Sequence, residues 1–359
     1  MSSIMKVSVI GAGNGGQAIA GYCASQGYSV CLYDRLIEVL TPLIPTKRIT
    51  LTGALSLEGQ IDVITQDICE AVNYSNLILV VTTATAHREI AEQIAPYLAD
   101  DQTIILNPGR TFGVLEFGNV LKLKRPSLKC HIAEAQTLIF ACRIIVPGVI
   151  NIIGVKDKVL LAGRNSEETS FVLHQLSPIF PCFVKADSLI ETGLLNVGAI
   201  FHPSIVIFNA ATIERNDNFF FYREMTPQIA SCIERLDLER LEVARAFGLN
   251  LMPVSEWISY AYPSTKGETL CERMRNNPAY YDIKAPGSIF TRQLTEDIPT
   301  GLLPMSELGC VAGVETPLME SFINLSSAIL NTDFKQSGRT LNRLGLAGLS
   351  VGQIIEAIS

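Results

Sequence analysis

The stretch VSVIGAGNGGQAIAGY, residues 7–22, decides how the rest of the chain is read. A β-branched run, Lys6–Ile10, leads into Gly11, Gly13 and Gly16, spaced G-x-G-x-x-G, and a run of small residues with helical character, Asn14–Ser25, leads out. Strand, glycine turn and helix in that order describe a phosphate cradle. The first glycine permits the tight turn, the second lets the backbone approach a pyrophosphate, and the third lets the helix close on the strand. The helix start adds free N–H groups and the positive end of its dipole. On this reading Gly11, Ala12, Gly13, Asn14, Gly15 and Gly16 hold a dinucleotide; a glycine turn without a ligand is the alternative. The next strand, Ser29–Tyr33, leads to Asp34, placed to accept hydrogen bonds from the adenosine ribose. A carboxylate there repels a 2′-phosphate and favours NAD. Arg35 beside it could stack on adenine or grip that phosphate, which keeps NADP open.

Outward from the cradle the pattern alternates. Leu77–Thr82 is a continuous apolar run of the kind a central parallel strand shows, Arg88–Leu98 reads as a helix, and Thr103–Asn107 reads as a strand stopped by Pro108-Gly109. Strand-like runs follow at Leu138–Ile145, Val149–Ile153 and Val159–Leu161, then a helix near Glu167–Leu176 and a short run at Cys182–Lys185. Alternating strands and helices predict an α/β Rossmann domain, a doubly wound parallel sheet, over residues 1–187. Ligands in such sheets bind at the strand ends. That makes Thr82 and Thr83, and Asn107 with Pro108, Gly109 and Arg110, further candidates, against an ordinary Pro-Gly turn for the second loop. From residue 188 to 359 the pattern is helical, predicting an all-α domain. Ser188–Glu214 reads as one long helix containing Pro203. Pro227–Phe247 follows, with Thr226 as N-cap and Gly248 as stop. Shorter helices are expected at Val254–Ala261, Thr269–Asn276, Met305–Ala312, Pro317–Leu330 and Thr340–Leu344.

Composition excludes several classes. The 359 residues are 48% hydrophobic and 18% charged, with a formal net charge of −7. The basic residues are scattered, so neither nucleic acid nor an anionic membrane is an expected partner. Nine irregularly spaced cysteines, with no C-x-x-C, read as free thiols of a reducing cytoplasm, and with four histidines they supply no metal site. Thr192–Ile213 lacks Asp, Glu, Lys and Arg and is long enough to span a bilayer. With Asn196, His202, Pro203 and Asn209 inside it, it reads as a buried core helix.

A nicotinamide enzyme needs a group that moves protons. His202 stands out among the histidines because Pro203 follows it within the apolar helix, where the proline removes an amide and disfavours helical geometry at the residue before it. A kink there would aim the imidazole into a cleft; a hydrogen-bonded core histidine is the alternative. A catalytic histidine needs a carboxylate to fix its tautomer. The segment FTRQLTEDIPTGLLPMSELG, 290–309, offers Asp297, with Arg292 as a bidentate clamp for a carboxylate, although a solvated helix end explains both equally well.

Seven stretches together are far more specific than the glycine motif: GAGNGGQAIAGY (11–22), ILNPGRTFGVLEF (105–117), TLIFACR (137–143), NVGAIFHP (196–203), NPAYYDIKAP (277–286), EDIPTGLLPMSELG (296–309) and TDFKQSGRTLNRLGL (332–346). Through them the chain resembles the opine dehydrogenases, the octopine/nopaline dehydrogenase family, over nearly its whole length. The resemblance implies a Rossmann domain joined to a helical domain. It also implies condensation of an amino acid with an α-keto acid, pyruvate by default, and reduction of the imine by NAD(P)H to a secondary amine dicarboxylate. It implies His202 as acid/base, Asp297 as its partner, Arg292 on the keto-acid carboxylate and Cys142 lining the amino-acid pocket, with domain closure assembling the site. Arg110 stands where the family often has a small residue; it is a candidate substrate contact through a carboxylate, with a phosphate partner or simple exposure as the alternatives. Ketopantoate reductases and glycerol-3-phosphate dehydrogenases share the layout, but typically use a lysine that this chain lacks between residues 186 and 265; a hydroxy-acid dehydrogenase is a further alternative. A redox sensor that binds NAD(H) would need no acid/base pair. The apolar helical domain is compatible with a homodimer.

Overall fold

The computed structural model describes residues 6–358. The chain falls into two compact units, dividing between Thr192 and Gly193. Among the described residues the first contains twelve strands: β1 (Lys6–Ile10), β2 (Ser29–Tyr33), β3 (Arg48–Gly53), β4 (Leu57–Gln60), β5 (Val63–Thr65), β6 (Leu77–Val80), β7 (Thr103–Leu106), β8 (His131–Ala135), β9 (Phe140–Val146), β10 (Val149–Val155), β11 (Val159–Gly163) and β12 (Phe183–Lys185). Eight form one sheet in the order β12-β11-β8-β7-β6-β1-β2-β5. Its pairings are parallel except β11 with β8, so the expected parallel sheet carries one reversal.

The chain leaves β1 towards β2 on one side and returns to β6 on the other. The topological switch point therefore lies between β1 and β6, where such sheets bind their ligands. The register makes this concrete. Ile10 pairs with Tyr33 and with Val80, and Val80 pairs with Leu106. The four strands end level, and the loops that follow, beginning at Gly11, Asp34, Val81 and Asn107, stand side by side.

A second, mixed sheet, β4-β3-β10-β9, lies outside the sequence expectation. It packs on the far side of the helix Asn14–Ser25, which explains that helix's small residues. A Cβ on Gly21 would stand 2.5 Å from Ile49, and one on Gly59 would stand 2.4 Å from the carbonyl oxygen of Gly21. The helix is enclosed on both sides, and its Ala18, Ile19, Ala20 and Cys23 join the core with Val7, Val9, Val30, Leu32 and Leu79.

The second unit is helical. Pro227–Ala246 begins as expected: the Thr226 side chain accepts from the Ile229 N–H, Pro227 occupies the first turn, and Gly248 follows with φ +78°. Two expectations are corrected. Ser188–Glu214 is not one helix but three, Leu189–Leu194, Gly198–Phe208 and Ala210–Glu214. The second break falls at Asn209, whose side-chain amide donates to the Ile205 carbonyl and so competes with the backbone ladder. Pro203 is tolerated inside Gly198–Phe208, where it deprives Ala199 of one hydrogen bond. Thr340–Leu344 forms turns, and short helices occupy Phe334–Ser337 and Val351–Ile358 instead. The stretch Leu189–Phe208 is apolar enough to cross a bilayer, but 72% of its most apolar window is buried.

A buried ion pair pins this unit. Arg240 is fully buried and donates from Nε to Asp237 Oδ1 (2.6 Å) and from its two terminal nitrogens to the carbonyls of Leu194 and Met252, while Asp237 Oδ2 accepts from the Val254 N–H. Removing one partner strands a buried charge, at a cost of about 3–5 kcal/mol. Arg240→Ala should lower the unfolding free energy by that amount, read as a fall in the denaturant midpoint; an unchanged midpoint would contradict it.

Candidate active site

The cradle in the first unit has the geometry its glycines imply. Gly11 has φ +104°, and a Cβ there would meet the Val81 carbonyl oxygen at 2.5 Å; a Cβ on Gly16 would stand 1.7 Å from the Gly11 carbonyl oxygen. At Gly13, among the described residues, no atom beyond its chain neighbours lies within 4 Å of where a Cβ would be, so this face is open. Gly13 caps Asn14–Ser25 without a side-chain hydrogen bond, and the first turn holds no acidic residue. The first amides are thus left to an anion. Asp34 Oδ2 accepts from the Ala12 N–H at 2.7 Å and Oδ1 from the Leu36 N–H at 3.0 Å, which fixes the carboxylate at the edge of the turn. Arg35 forms an exposed ion pair with Glu89 at 3.3 Å. Thr82 and Thr83 follow β6, and the buried Asn107 follows β7 with its N–H donated to the Val80 carbonyl. These residues fit the pyrophosphate and ribose of a nicotinamide dinucleotide.

The second sheet holds the cradle from outside, which no sequence signal announces. The Ile144 N–H donates to Asn14 Oδ1 at 2.8 Å and the Cys142 thiol to the Asn14 carbonyl at 3.4 Å. Gln17, buried, donates to the Ala12 carbonyl and accepts from the Gly148 N–H. Burial pushes the Cys142 thiol up to about 11, against the cations of Lys156 and Arg143. It also pushes the Lys156 ammonium down to about 8, helped by Arg110, while Lys156 donates to the Leu138 carbonyl. Arg110 is itself buried, with φ +62°. Cys142 and Arg110 therefore belong to the first unit, beside the cradle's supporting strands.

In the second unit, Gly198–Phe208 carries His202, and the short helix Arg292–Thr295 leads to Asp297 and a widened turn, Ile298–Leu302. The structure brings His202 and Asp297 together: Nδ1 lies 2.6 Å from Oδ2, with Asp297 fully buried and the His202 side chain 14% exposed. An ionised carboxylate only accepts, so Nδ1 carries the ring proton and Nε2 is left to exchange one. Nε2 lies 2.9 Å from the hydroxyl of Tyr222, a residue absent from the sequence reading; the run NFFFYR, 218–223, carries no motif that marks it. Aromatic rings pack around the imidazole: Phe221 and Tyr222 have centroids 6.2 and 6.4 Å away. Arg292 is not drawn to Asp297. Its guanidinium is half-exposed and donates to the buried Glu296 at 3.3 Å.

Comparison with known proteins agrees with both halves. Residues 185–330 match the model of the NAD/NADP octopine/nopaline dehydrogenase alpha-helical domain, and residues 6–109 match that of the NAD-dependent glycerol-3-phosphate dehydrogenase N-terminus. An opine dehydrogenase of Arthrobacter sp. (strain 1C) is 37% identical over 359 residues, 98% of each chain. Two solved octopine dehydrogenase structures, one with NADH and agmatine and one with NADH and pyruvate, share the fold at TM-scores of 0.79 and 0.76, each at 20% identity over 98% of both chains. With a dinucleotide cradle in one unit, a carboxylate-oriented histidine in the other and a relative of this similarity over its full length, the chain belongs to the opine dehydrogenase family, NAD(P)-dependent oxidoreductases that reductively condense an amino acid with an α-keto acid.

Proposed function

We propose that this chain joins the amino group of an amino acid to the keto carbon of pyruvate and reduces the resulting imine with NADH, and that His202 moves the protons of that sequence. The observation that carries the reading is the Asp297–His202 pair. A buried carboxylate at 2.6 Å from Nδ1 holds the ring in one tautomer and stabilises the imidazolium that forms when Nε2 takes a proton. Pyruvate is the keto acid in one of the solved relatives, which supports it here.

The remaining roles follow from charge and placement. Arg292, half-exposed, keeps donors that suit the keto-acid carboxylate in bidentate fashion. Arg110 and Cys142 are assigned to the amino acid. Gly11, Ala12, Gly13, Asn14, Gly15 and Gly16 seat the pyrophosphate; Asp34, Arg35, Thr82, Thr83 and Asn107 surround the rest of the cofactor. When bound, that cofactor supplies the hydride. Holding amine, keto acid and hydride donor in register replaces an encounter in solution, an effect worth up to about 7–11 kcal/mol of barrier.

NAD is the favoured form. Asp34 is fixed by two backbone amides, and Arg35 is engaged by Glu89, so a 2′-phosphate would meet two carboxylates and a cation already paired. The first unit is then the cofactor domain and the second the substrate domain. Nine free thiols support a reducing compartment, the cytoplasm. Phe208, Leu325 and Ile329, exposed on the helical unit, support a homodimer, which sedimentation would report.

Three outcomes test this reading. NADH oxidation followed at 340 nm should require both pyruvate and an amine from a panel of amino acids; oxidation with pyruvate alone would make the protein a hydroxy-acid dehydrogenase. His202→Asn should lower kcat by about 10²–10⁴-fold while NADH, titrated by fluorescence, still binds; an unchanged kcat would remove His202 from the mechanism. Asp34→Ser should shift the ratio of kcat/KM for NADH over NADPH by at least tenfold towards NADPH, and a ratio that stays put would deny Asp34 its discriminating role.

A further inference from the structure

Asp297 and Tyr222 between them occupy both ring nitrogens of His202, Nδ1 at 2.6 Å and Nε2 at 2.9 Å. Nδ1 keeps its proton against the carboxylate, so Nε2 is the nitrogen that must exchange one with a substrate. It can do so after the Tyr222 hydroxyl has moved away, or through that hydroxyl.

Tyr222 is badly placed to move away. It is buried, stacked on Tyr280 with centroids 4.4 Å apart at 21°, and set edge-on to Phe221 at 4.9 Å and 89°. Tyr280 is braced in turn by Tyr262 at 4.9 Å. The phenolic oxygen lies on the long axis of its ring, so a ring flip leaves it where it is. Withdrawing it from Nε2 means swinging the whole ring out of the stack. The imidazole cannot turn instead without breaking its bond to Asp297.

We propose, resting on the reading of His202 as the acid/base group, that Tyr222 relays the proton between His202 and the substrate. In the dehydration that forms the imine, the imidazolium Nε2–H passes its proton to Tyr222 Oη. The phenolic proton passes at the same time to the hydroxyl on the carbinolamine carbon. The C–O bond breaks and takes its electron pair with the departing water, and the nitrogen lone pair closes the C=N bond. His202 ends neutral, the substrate gains the positive charge as an iminium, Tyr222 ends unchanged, and nothing is oxidised or reduced. The hydroxyl is amphoteric, which is what a relay requires.

Tyr222→Phe deletes the hydroxyl and keeps the ring in its stack. It is compared with His202→Asn and with the double variant, in steady-state assays with NADH, pyruvate and the amine that performs best in the panel. Thermal unfolding checks that each variant is folded. The relay predicts that Tyr222→Phe lowers kcat by about 10²-fold or more. It also predicts that the double variant is no more than about threefold slower than His202→Asn, because groups acting in one path are not additive. Tyr222→Phe with kcat within about threefold of the unmodified enzyme would overturn the relay, as would losses that multiply in the double variant. If His202→Asn itself keeps its kcat, the reading of His202 fails and takes the relay with it; if only Tyr222→Phe keeps its kcat, the relay fails alone. A measurement on the unmodified enzyme needs no variant. In mixtures of H2O and D2O, kcat should fall along a curve, two protons being in flight, and a straight line would count against the relay.

Discussion

The carbonyl oxygen of Gly11 lies 1.7 Å from the place where a Cβ on Gly16 would stand. No side chain fits there, and the rest of the first unit follows from that closeness. The helix is close-packed on its far side too, where a Cβ on Gly21 would stand 2.5 Å from Ile49 and one on Gly59 would stand 2.4 Å from the carbonyl of Gly21. The narrow helix leaves room for a second sheet on its outer face, and that sheet returns the favour by holding the turn. Asn14 is fixed by Ile144 and Cys142, and Gln17 by Gly148. With Asp34 binding the Ala12 amide from the other side, the cradle is held before any ligand arrives. Preorganisation of this kind lowers the entropy lost on binding.

Local signals were legible where the physics is local. β1, the cradle helix and β2 stand where periodicity and the glycine spacing predict them, because one strand, one turn and one helix are set by neighbours in sequence. The second sheet was not legible. Its β3 and β10 pair Thr50 with Val149 and Leu51 with Ile150, partners about a hundred residues apart; Val149–Ile153 reads as a strand, but nothing local names its partner, and β3 gives no strand signal. The long helix expected over Ser188–Glu214 failed for a different reason. A stretch apolar on every face has no phase, so the pattern cannot show where it breaks. Thr340–Leu344 had too few residues to make its helical spacing meaningful.

The site divides along the same line. Asp34 and the loops at the ends of β6 and β7 follow from the alternation of strands and helices, since level strand ends put their loops together. His202 and Asp297, 95 residues apart, are candidates for each other from their chemistry alone, but the residues leave a solvated helix end as an equal alternative, and the resemblance to a family is what favours the pair. Tyr222, 20 residues from His202, had no motif at all, because only one hydrogen bond and one stack set it apart from its aromatic neighbours. Cys142 shows the limit from the other side. The resemblance implies a place beside substrate for it, and no sequence signal announces the second contact, its thiol donating to the backbone of the cradle.

The two units solve one mechanical problem twice. Asp297 must be buried to hold His202 firmly, and a buried carboxylate is costly unless a hydrogen-bonded partner lies close. Its segment can come that close because Gly301, four residues on, lies against the histidine's helix: a Cβ there would stand 2.5 Å from that of Ala199, three residues before His202. Pro299 and Pro304 remove two amides from the same segment, and the backbone opens there into the widened turn Ile298–Leu302. The turn begins directly after Asp297, so the irregularity falls where the carboxylate must be aimed. In the cradle a glycine lets backbone approach backbone, so that a phosphate can follow. In the helical unit a glycine lets helix approach helix, so that a carboxylate can reach an imidazole. A side chain at either position would force its neighbours apart, at Gly16 the helix from the Gly11 carbonyl and at Gly301 the turn from the helix that carries His202.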